Sequence, residues 1–165
     1  DNMHQLFPAS CAIPLMYRDF PQINGEQMTD GGLADAIPVL KAYAMGARDI
    51  TVVLSQPEGY RKRTSRLPVL MKPFFKQYPQ MFSAVLSRTA RYNQALNFIA
   101  SPPADCKVNV VAPPADFAVG RFCQNPQLLE AGYQAGRRSG LQQVSGISEA
   151  TNNLEAMPLS KIATG

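Results

Sequence analysis

Apolar positions along this chain come in short runs, each closed by proline, glycine or a polar cluster. Residues 3–13 are rich in small side chains and predict a short helix, limited by Pro8 and ended at Pro14. Leu15 to Phe20 reads as a strand. Gln22-Ile23-Asn24-Gly25-Glu26-Gln27-Met28 predicts a tight hairpin, because Asn-Gly suits a turn whose two central residues need positive φ. Its second strand runs straight into Asp30. Pro38 suits a first helical turn, with Asp35 as the expected N-cap, and Val39 to Met45 continues as a helix stopped by Gly46. Ile50-Thr51-Val52-Val53-Leu54 is a β-branched apolar run of the kind expected for a buried parallel strand. Strand, helix and strand in this order predict a βαβ unit.

The second half alternates in the same way. Residues 56–66 form a polar, basic loop, and 67–100 predict two helices broken near Tyr78-Pro79. In the second helix Met81, Phe82, Val85, Leu86, Leu96 and Ile99 recur at helical spacing, interrupted by the polar stretch Arg88 to Gln94. Lys107 to Ala112 is a further short buried strand, stopped by Pro113-Pro114. Residues 126–138 predict a last helix, with Pro126 near its start and Gly132, Ala135 and Gly136 suited to close packing. The expected fold class is α/β, with residues 1–140 as one domain part and the polar residues 141–165 as a flexible tail.

Composition narrows the function. The 165 residues are 45% hydrophobic and 17% charged, enough to bury a core and suited to one domain or the larger part of one. The chain opens on Asp1 rather than Met, which suggests a piece of a longer protein. No apolar run approaches the roughly 18 residues of a membrane span, and the expected location is cytoplasmic or peripheral to a membrane. Cys11, Cys106 and Cys123 are odd in number and widely spaced, so they predict buried, reduced thiols in a reducing compartment rather than a zinc or disulfide framework. His4 is the one histidine, which leaves no multi-histidine metal site, and no cofactor is expected. The net charge of +4 is partly concentrated in Arg61, Lys62, Arg63 and Arg66, either a solvated loop or a contact with anionic lipid. Nucleic acid is not an expected partner, because no recognition motif or aromatic interleaving accompanies the cluster.

The chemistry that the residues can carry centres on Asp30-Gly31-Gly32. It lies at the end of a strand and before a helix, where α/β sheets collect ligands and catalytic groups. The glycines permit a sharp turn and close approach, and a carboxylate there could take a proton from a nucleophilic hydroxyl. The tripeptide by itself is also an ordinary turn sequence. Ser10 reads as helix packing, and neither it nor Ser55 has a recognisable base. Asp35 reads as a cap rather than a second acid, and Arg18 and Asp19 as solvent-facing. Phe74, Phe75, Tyr78 and Phe82 suit either a core or an acyl-binding groove.

Taken together, Ala9-Ser10-Cys11-Ala12-Ile13-Pro14, the hairpin, Asp30-Gly31-Gly32 and Asp35-Ala36-Ile37-Pro38 resemble the later part of a patatin-like phospholipase domain. The closing Gly132-Tyr133-Gln134-Ala135-Gly136-Arg137 is similar to the last helix of bacterial members. The resemblance spans residues 8–138 and is sharpest over 9–39. It implies a three-layer α/β/α domain, here its C-terminal portion, with a helical insertion or extension at 67–100. It also implies a lipid or acyl-ester substrate, attacked by a serine in G-x-S-x-G whose partner is the aspartate of D-G-G. Asp30 takes that place, and the dyad needs no histidine. An aspartate is a weak base, so such a dyad depends on a dry site and close pairing with the hydroxyl.

The chain departs from the family at the other half of the site. It has no G-x-S-x-G, since Val144-Ser145-Gly146 lacks the first glycine, and no glycine-rich oxyanion loop. In the family both precede D-G-G. The resemblance therefore implies a C-terminal fragment, inactive alone, that supplies Asp30 to a longer enzyme. The rival expectation is a noncatalytic α/β interaction module that keeps only the scaffold. Cutting such a domain before its hairpin exposes a strand edge and apolar faces, so the isolated fragment is expected to self-associate or to rearrange its first 30 residues.

Overall fold

A computed structural model describes residues 3–14, 20–65, 67–70, 72–120 and 122–155, the side chains of 67–68 and 147–155 excepted. The strand expected at Leu15 to Phe20 falls outside the described residues except at Phe20 itself, as do Arg18, Asp19, Arg66 and residues 156–165. The architecture is mixed α/β, with two small sheets among the described residues. The chain divides into two compact units, Asp1–Ile50 with Arg61–Val108, and Thr51–Tyr60 with Asn109–Gly165.

The first unit begins with α1, Met3–Ser10, which carries Pro8 and buries Ala9. The hairpin is as expected. β1 (Gln22–Ile23) and β2 (Glu26–Gln27) pair antiparallel, Gln22 opposite Gln27 and Ile23 opposite Glu26. Asn24 and Gly25 take φ of 53° and 82°, the twist that an Asn-Gly turn supplies cheaply. The one-turn helix α2 (Gly31–Ala34) and then α3 (Val39–Ala44) follow, and Gly46 at φ 100° ends α3. Asp35 does not cap α3. It closes the C-terminus of α2, and Pro38 stands at the start of α3 without a side-chain cap.

β3 (Asp49–Val53) does not share a sheet with the hairpin, so the βαβ unit expected from β2, α3 and β3 does not form. β2 is two exposed residues long, and β1 is its partner. β3 pairs instead with β4 (Lys107–Val111), and the division between the units falls within both strands. Lys107 N donates to Arg48 O at 2.7 Å and Leu54 N to Val111 O at 2.8 Å. Both strands advance together between these bonds, so the pair is parallel, and its crossover is the chain between them. β3 is buried on one face: Ile50, Val52 and Leu54 are covered, whereas Val53 is 76% exposed. That alternation corrects the expectation of a buried strand, and β4, expected to be buried too, has one exposed and four half-buried residues.

Residues 67–100 hold one long helix rather than two. The first half is a four-residue helix, α4 (Leu67–Leu70), and a 3-10 turn at Lys72–Phe75. Prolines at 68 and 73 remove the amide donors that a longer helix needs. α5 (Pro79–Ala100) then starts on Pro79, a favourable first helical position. It packs against α2, α3, α4 and the 3-10 turn, and Ala95 is 1% exposed. Phe75 is buried with its ring centroid 5.9 Å from Phe82, and Phe20 meets Tyr78 edge-on at 5.3 Å. Phe74 points away from this cluster, 69% exposed.

A polar tie joins α3 to the loop before β4. Tyr43 Oη donates to Asp105 Oδ1 at 2.9 Å, Arg48 Nε pairs with Asp105 Oδ2 at 2.8 Å, and the Arg48 guanidinium lies 4.2 Å above the Tyr43 ring. The Tyr43 hydrogen bond, reinforced by Arg48, holds the Asp105 carboxyl below its usual range and pushes the Tyr43 phenol up.

In the second unit, α6 (Pro126–Glu155) is anchored by Asn125, whose Oδ1 accepts Gln127 N at 3.0 Å and Leu128 N at 3.3 Å. It does not stop at 138. It passes Gly140 and continues to Glu155, because no proline interrupts it and its polar residues are compatible with a solvated helix. The small-residue face is used at one point. A Cβ on Gly132 would come within 2.7 Å of Val119 Cγ2 and 3.4 Å of the Phe117 ring, while one on Gly136 would meet nothing within 4 Å.

Two outcomes follow. Gly136→Ala gains helix propensity and raises stability by up to about 1 kcal/mol, whereas Gly132→Ala is overpacked and lowers it by about 1–2 kcal/mol; urea melts of the two variants give opposite shifts. Because its folded pKa is lowered, Asp105 stabilises above its unfolded pKa, and this contribution is lost as pH falls through the folded value. Asp105→Asn therefore melts below wild type at neutral pH, and the gap closes in acid; a gap independent of pH would remove the tie.

Candidate functional site

The strongest chemical feature is the turn at residues 29–34, within the first unit. Its entry is fixed from α1: the Ala12 carbonyl accepts both Thr29 Oγ1 at 2.9 Å and Asp30 N at 3.0 Å, and Ala12 is 0% exposed. Asp30 is half-buried at the N-cap of α2, and its Oδ1 accepts Gly32 N at 2.6 Å. Its other carboxylate oxygen makes no hydrogen bond among the described residues. One oxygen is thus anchored by the backbone and one is available to accept a proton.

Of the two glycines, Gly32 is the one its surroundings crowd, while Gly31 has room for a side-chain carbon. A Cβ on Gly32 would stand 2.8 Å from Asp30 Oδ1 and 3.7 Å from Arg88 Nη2, and one on Gly31 would stand 3.5 Å from Ser10 Oγ. Ser10 thus lies beside the turn, consistent with packing. The far side of the turn meets α5. Arg88 Nε donates to Gly32 O at 2.8 Å, and Arg91 Nη2 donates to Leu33 O. In the sequence this stretch reads only as a polar break in an apolar pattern. Two arginines three apart on one helix face are the signal that was available.

Other candidates are placed apart from this turn. Asp35 is exposed, its amide on Gly31 O at 2.9 Å. Ser55 belongs to the second unit, where it lines a cleft of about 450 Å³ at the carboxyl ends of β3 and β4, with Phe117, Gly136 and Ser139. Ser145 is an exposed residue of α6, and His4 an exposed residue of α1. Of the three thiols expected to be buried only Cys106 is; Cys11, just past the end of α1, is exposed, and Cys123 is half-buried. Among the described residues no group of three or more His, Cys, Asp or Glu is arranged to hold a metal ion. In the first unit, Phe20, Met28, Tyr78 and Met81 line a cleft of about 410 Å³ together with Gln27, Gln77 and Gln80.

The basic loop is docked rather than loose. Lys62 N donates to Asn93 Oδ1 and Asn93 Nδ2 to Lys62 O, each at 2.9 Å, and Arg61 reaches Asn93 O at 3.5 Å. The Lys62 ammonium sits 5.2 Å from the Tyr92 ring centre, while Arg61 and Arg63 are exposed. No helix among the described residues is long and apolar enough to cross a membrane.

Residues 78–152, which take in α5, β4 and most of α6, match a family described as a domain of unknown function, DUF6363. Over 147 residues, 84% of this chain, the sequence is 26% identical to a protein of Escherichia coli (strain K12) described as "Uncharacterized protein YjjU". The match takes up 39% of that protein, so the chain spans well under half the length of this relative.

Proposed function

We propose that this chain is the C-terminal part of a patatin-like lipid acyl hydrolase and supplies the aspartate of its Ser-Asp dyad. The observation that carries the reading is the state of Asp30. It is held at both ends of its own turn, with Oδ1 on the Gly32 amide and the second oxygen available. A base that must meet a hydroxyl in one orientation needs this kind of fixation. The resemblance of residues 9–39 to the family supports the assignment.

In the full-length protein the reaction runs in two steps. The serine hydroxyl from the upstream part attacks the ester carbonyl, and its proton passes to Asp30. The tetrahedral intermediate collapses to an acyl-serine, and the leaving alcohol takes the proton back. Water then attacks the acyl-serine and gives a proton to Asp30; as the tetrahedral intermediate collapses, Asp30 returns that proton to the departing serine oxygen, which restores the dyad and releases the acid. A three-layer α/β/α domain completed by that upstream part is the fold we propose. Exposed Arg61 and Arg63, on a loop pinned to Asn93, support a contact with anionic lipid headgroups. The isolated chain lacks the nucleophile and does no chemistry.

Asparagine caps a helix as well as aspartate does, so Asp30→Asn keeps the turn while removing the base. In the full-length protein it abolishes hydrolysis of a short-chain nitrophenyl ester with an unchanged melting temperature, whereas Asp30→Ala also loses about 0.5–2 kcal/mol of stability. Hydrolysis at the wild-type rate in the Asn variant would remove Asp30 from the dyad, whereas a wild-type full-length protein that hydrolyses no ester would favour the noncatalytic module. The isolated 165-residue chain, with Val53 76% exposed on a two-stranded sheet, self-associates. Light scattering that shows only monomer would count against the fragment reading.

A further inference from the structure

We propose that Arg88 and Arg91 of α5 are positioning residues for Asp30, a role that rests on the dyad reading above. The reason lies in α2. A helix of one turn forms too few bonds to offset the cost of its nucleation, and two of its four residues are glycine, which resist helix more than any residue except proline. Left to itself, residues 31–34 would not hold a shape. Yet the orientation of Asp30 depends on that shape, because its anchored oxygen sits on the Gly32 amide.

The two arginines supply what the turn lacks. Arg88 Nε and Arg91 Nη2 donate to the carbonyls of Gly32 and Leu33, consecutive acceptors at the C-terminal end of α2. Such carbonyls have no partner within a one-turn helix, and guanidinium N–H groups supply it. Arg91 is itself immobilised: its guanidinium also donates to Ala84 O and to Ser87 Oγ, each at 2.8 Å, and Ser87 Oγ in turn donates to Ser83 O at 2.8 Å. The clamp is therefore built on a 22-residue helix, not on another loop.

Arg88 reaches further. Its Nη2 and Asp30 Oδ1 both lie within 4 Å of the point where a Gly32 Cβ would stand. The absent side chain leaves one space shared by the guanidinium and the carboxylate edge. Together with Ala12, which holds the other end of the turn, the arginines fix Asp30 between two elements. A lysine would not substitute at Arg91, because one ammonium cannot reproduce a planar fork that spans Leu33, Ala84 and Ser87.

The test uses the full-length protein and the same nitrophenyl ester. Arg88→Ala and Arg91→Ala together lower kcat by about 100-fold, the scale of an ångström-sized misplacement, with KM nearly unchanged. Guanidinium added at non-denaturing concentration to the single Arg88→Ala variant restores part of kcat, which repair of a merely structural defect would not do. Hydrogen exchange of the amides at 32–35 becomes several-fold faster in the double variant, independently of any activity. Wild-type kcat in the double variant, a loss confined to KM, failure of guanidinium to restore kcat, or unchanged exchange at 32–35 would each overturn the positioning role. Asp30→Asn run alongside separates the two proposals. Hydrolysis surviving in that variant removes the dyad itself, whereas its loss there with a fully active double-arginine variant removes only the clamp.

Discussion

A turn that contains two glycines in one turn of helix cannot keep its own conformation, and the arrangement of the first unit follows from that constraint. The segment around Asp30 is held by contacts that come from elsewhere in the chain. Ala12, at the end of α1, takes two hydrogen bonds from Thr29 and Asp30. α5 meets the opposite side with two arginines. The hairpin delivers the chain between them, and its Asn-Gly turn sets the direction of entry. Remove any of these and the carboxylate loses its reference frame, even though the residues of the turn are unchanged.

The core that supports this frame is modest. Ala9, Ala12, Ile37, Val39, Phe75 and Ala95 are among its buried members, many of them small, so elements approach closely and polar contacts at their edges carry much of the specificity. The tie of Tyr43, Arg48 and Asp105 is one such contact, and the pairing of Asn93 with the backbone of Lys62 is another. The second unit has a different balance. Val52 and Leu54 are its buried apolar residues among those described, and α6 presents Tyr133, Leu141 and Val144 to solvent. Its most specific packing is the seat of Val119 and Phe117 against Gly132.

Features that depend on neighbours in sequence were legible there. The hairpin, the stop at Gly46, the start of α5 at Pro79 and the strand at 107–111 are each encoded within a few residues, by a required φ, a missing amide or a β-branched run. Three expectations gave way for one shared reason. Asp35 became a C-cap, the first half of 67–100 broke into short turns, and α6 ran on past Gly140. Local composition permits several outcomes at those places, and proline spacing or competing caps select among them.

What the sequence by itself determined is the turn chemistry: Asp30 before two glycines, reached from a tight hairpin and followed by α3. Only the tertiary structure decided what holds it. The pairing of β3 with β4 rather than β2 depends on edges brought together across more than fifty residues. The partners of Gly32 and Leu33 lie 56 and 58 positions away in α5. In the sequence, Arg88 and Arg91 are charges on a helix. They become a clamp because folding puts unpaired carbonyls opposite them, and hydrogen-bond acceptors without a local partner take whichever donors the packing provides.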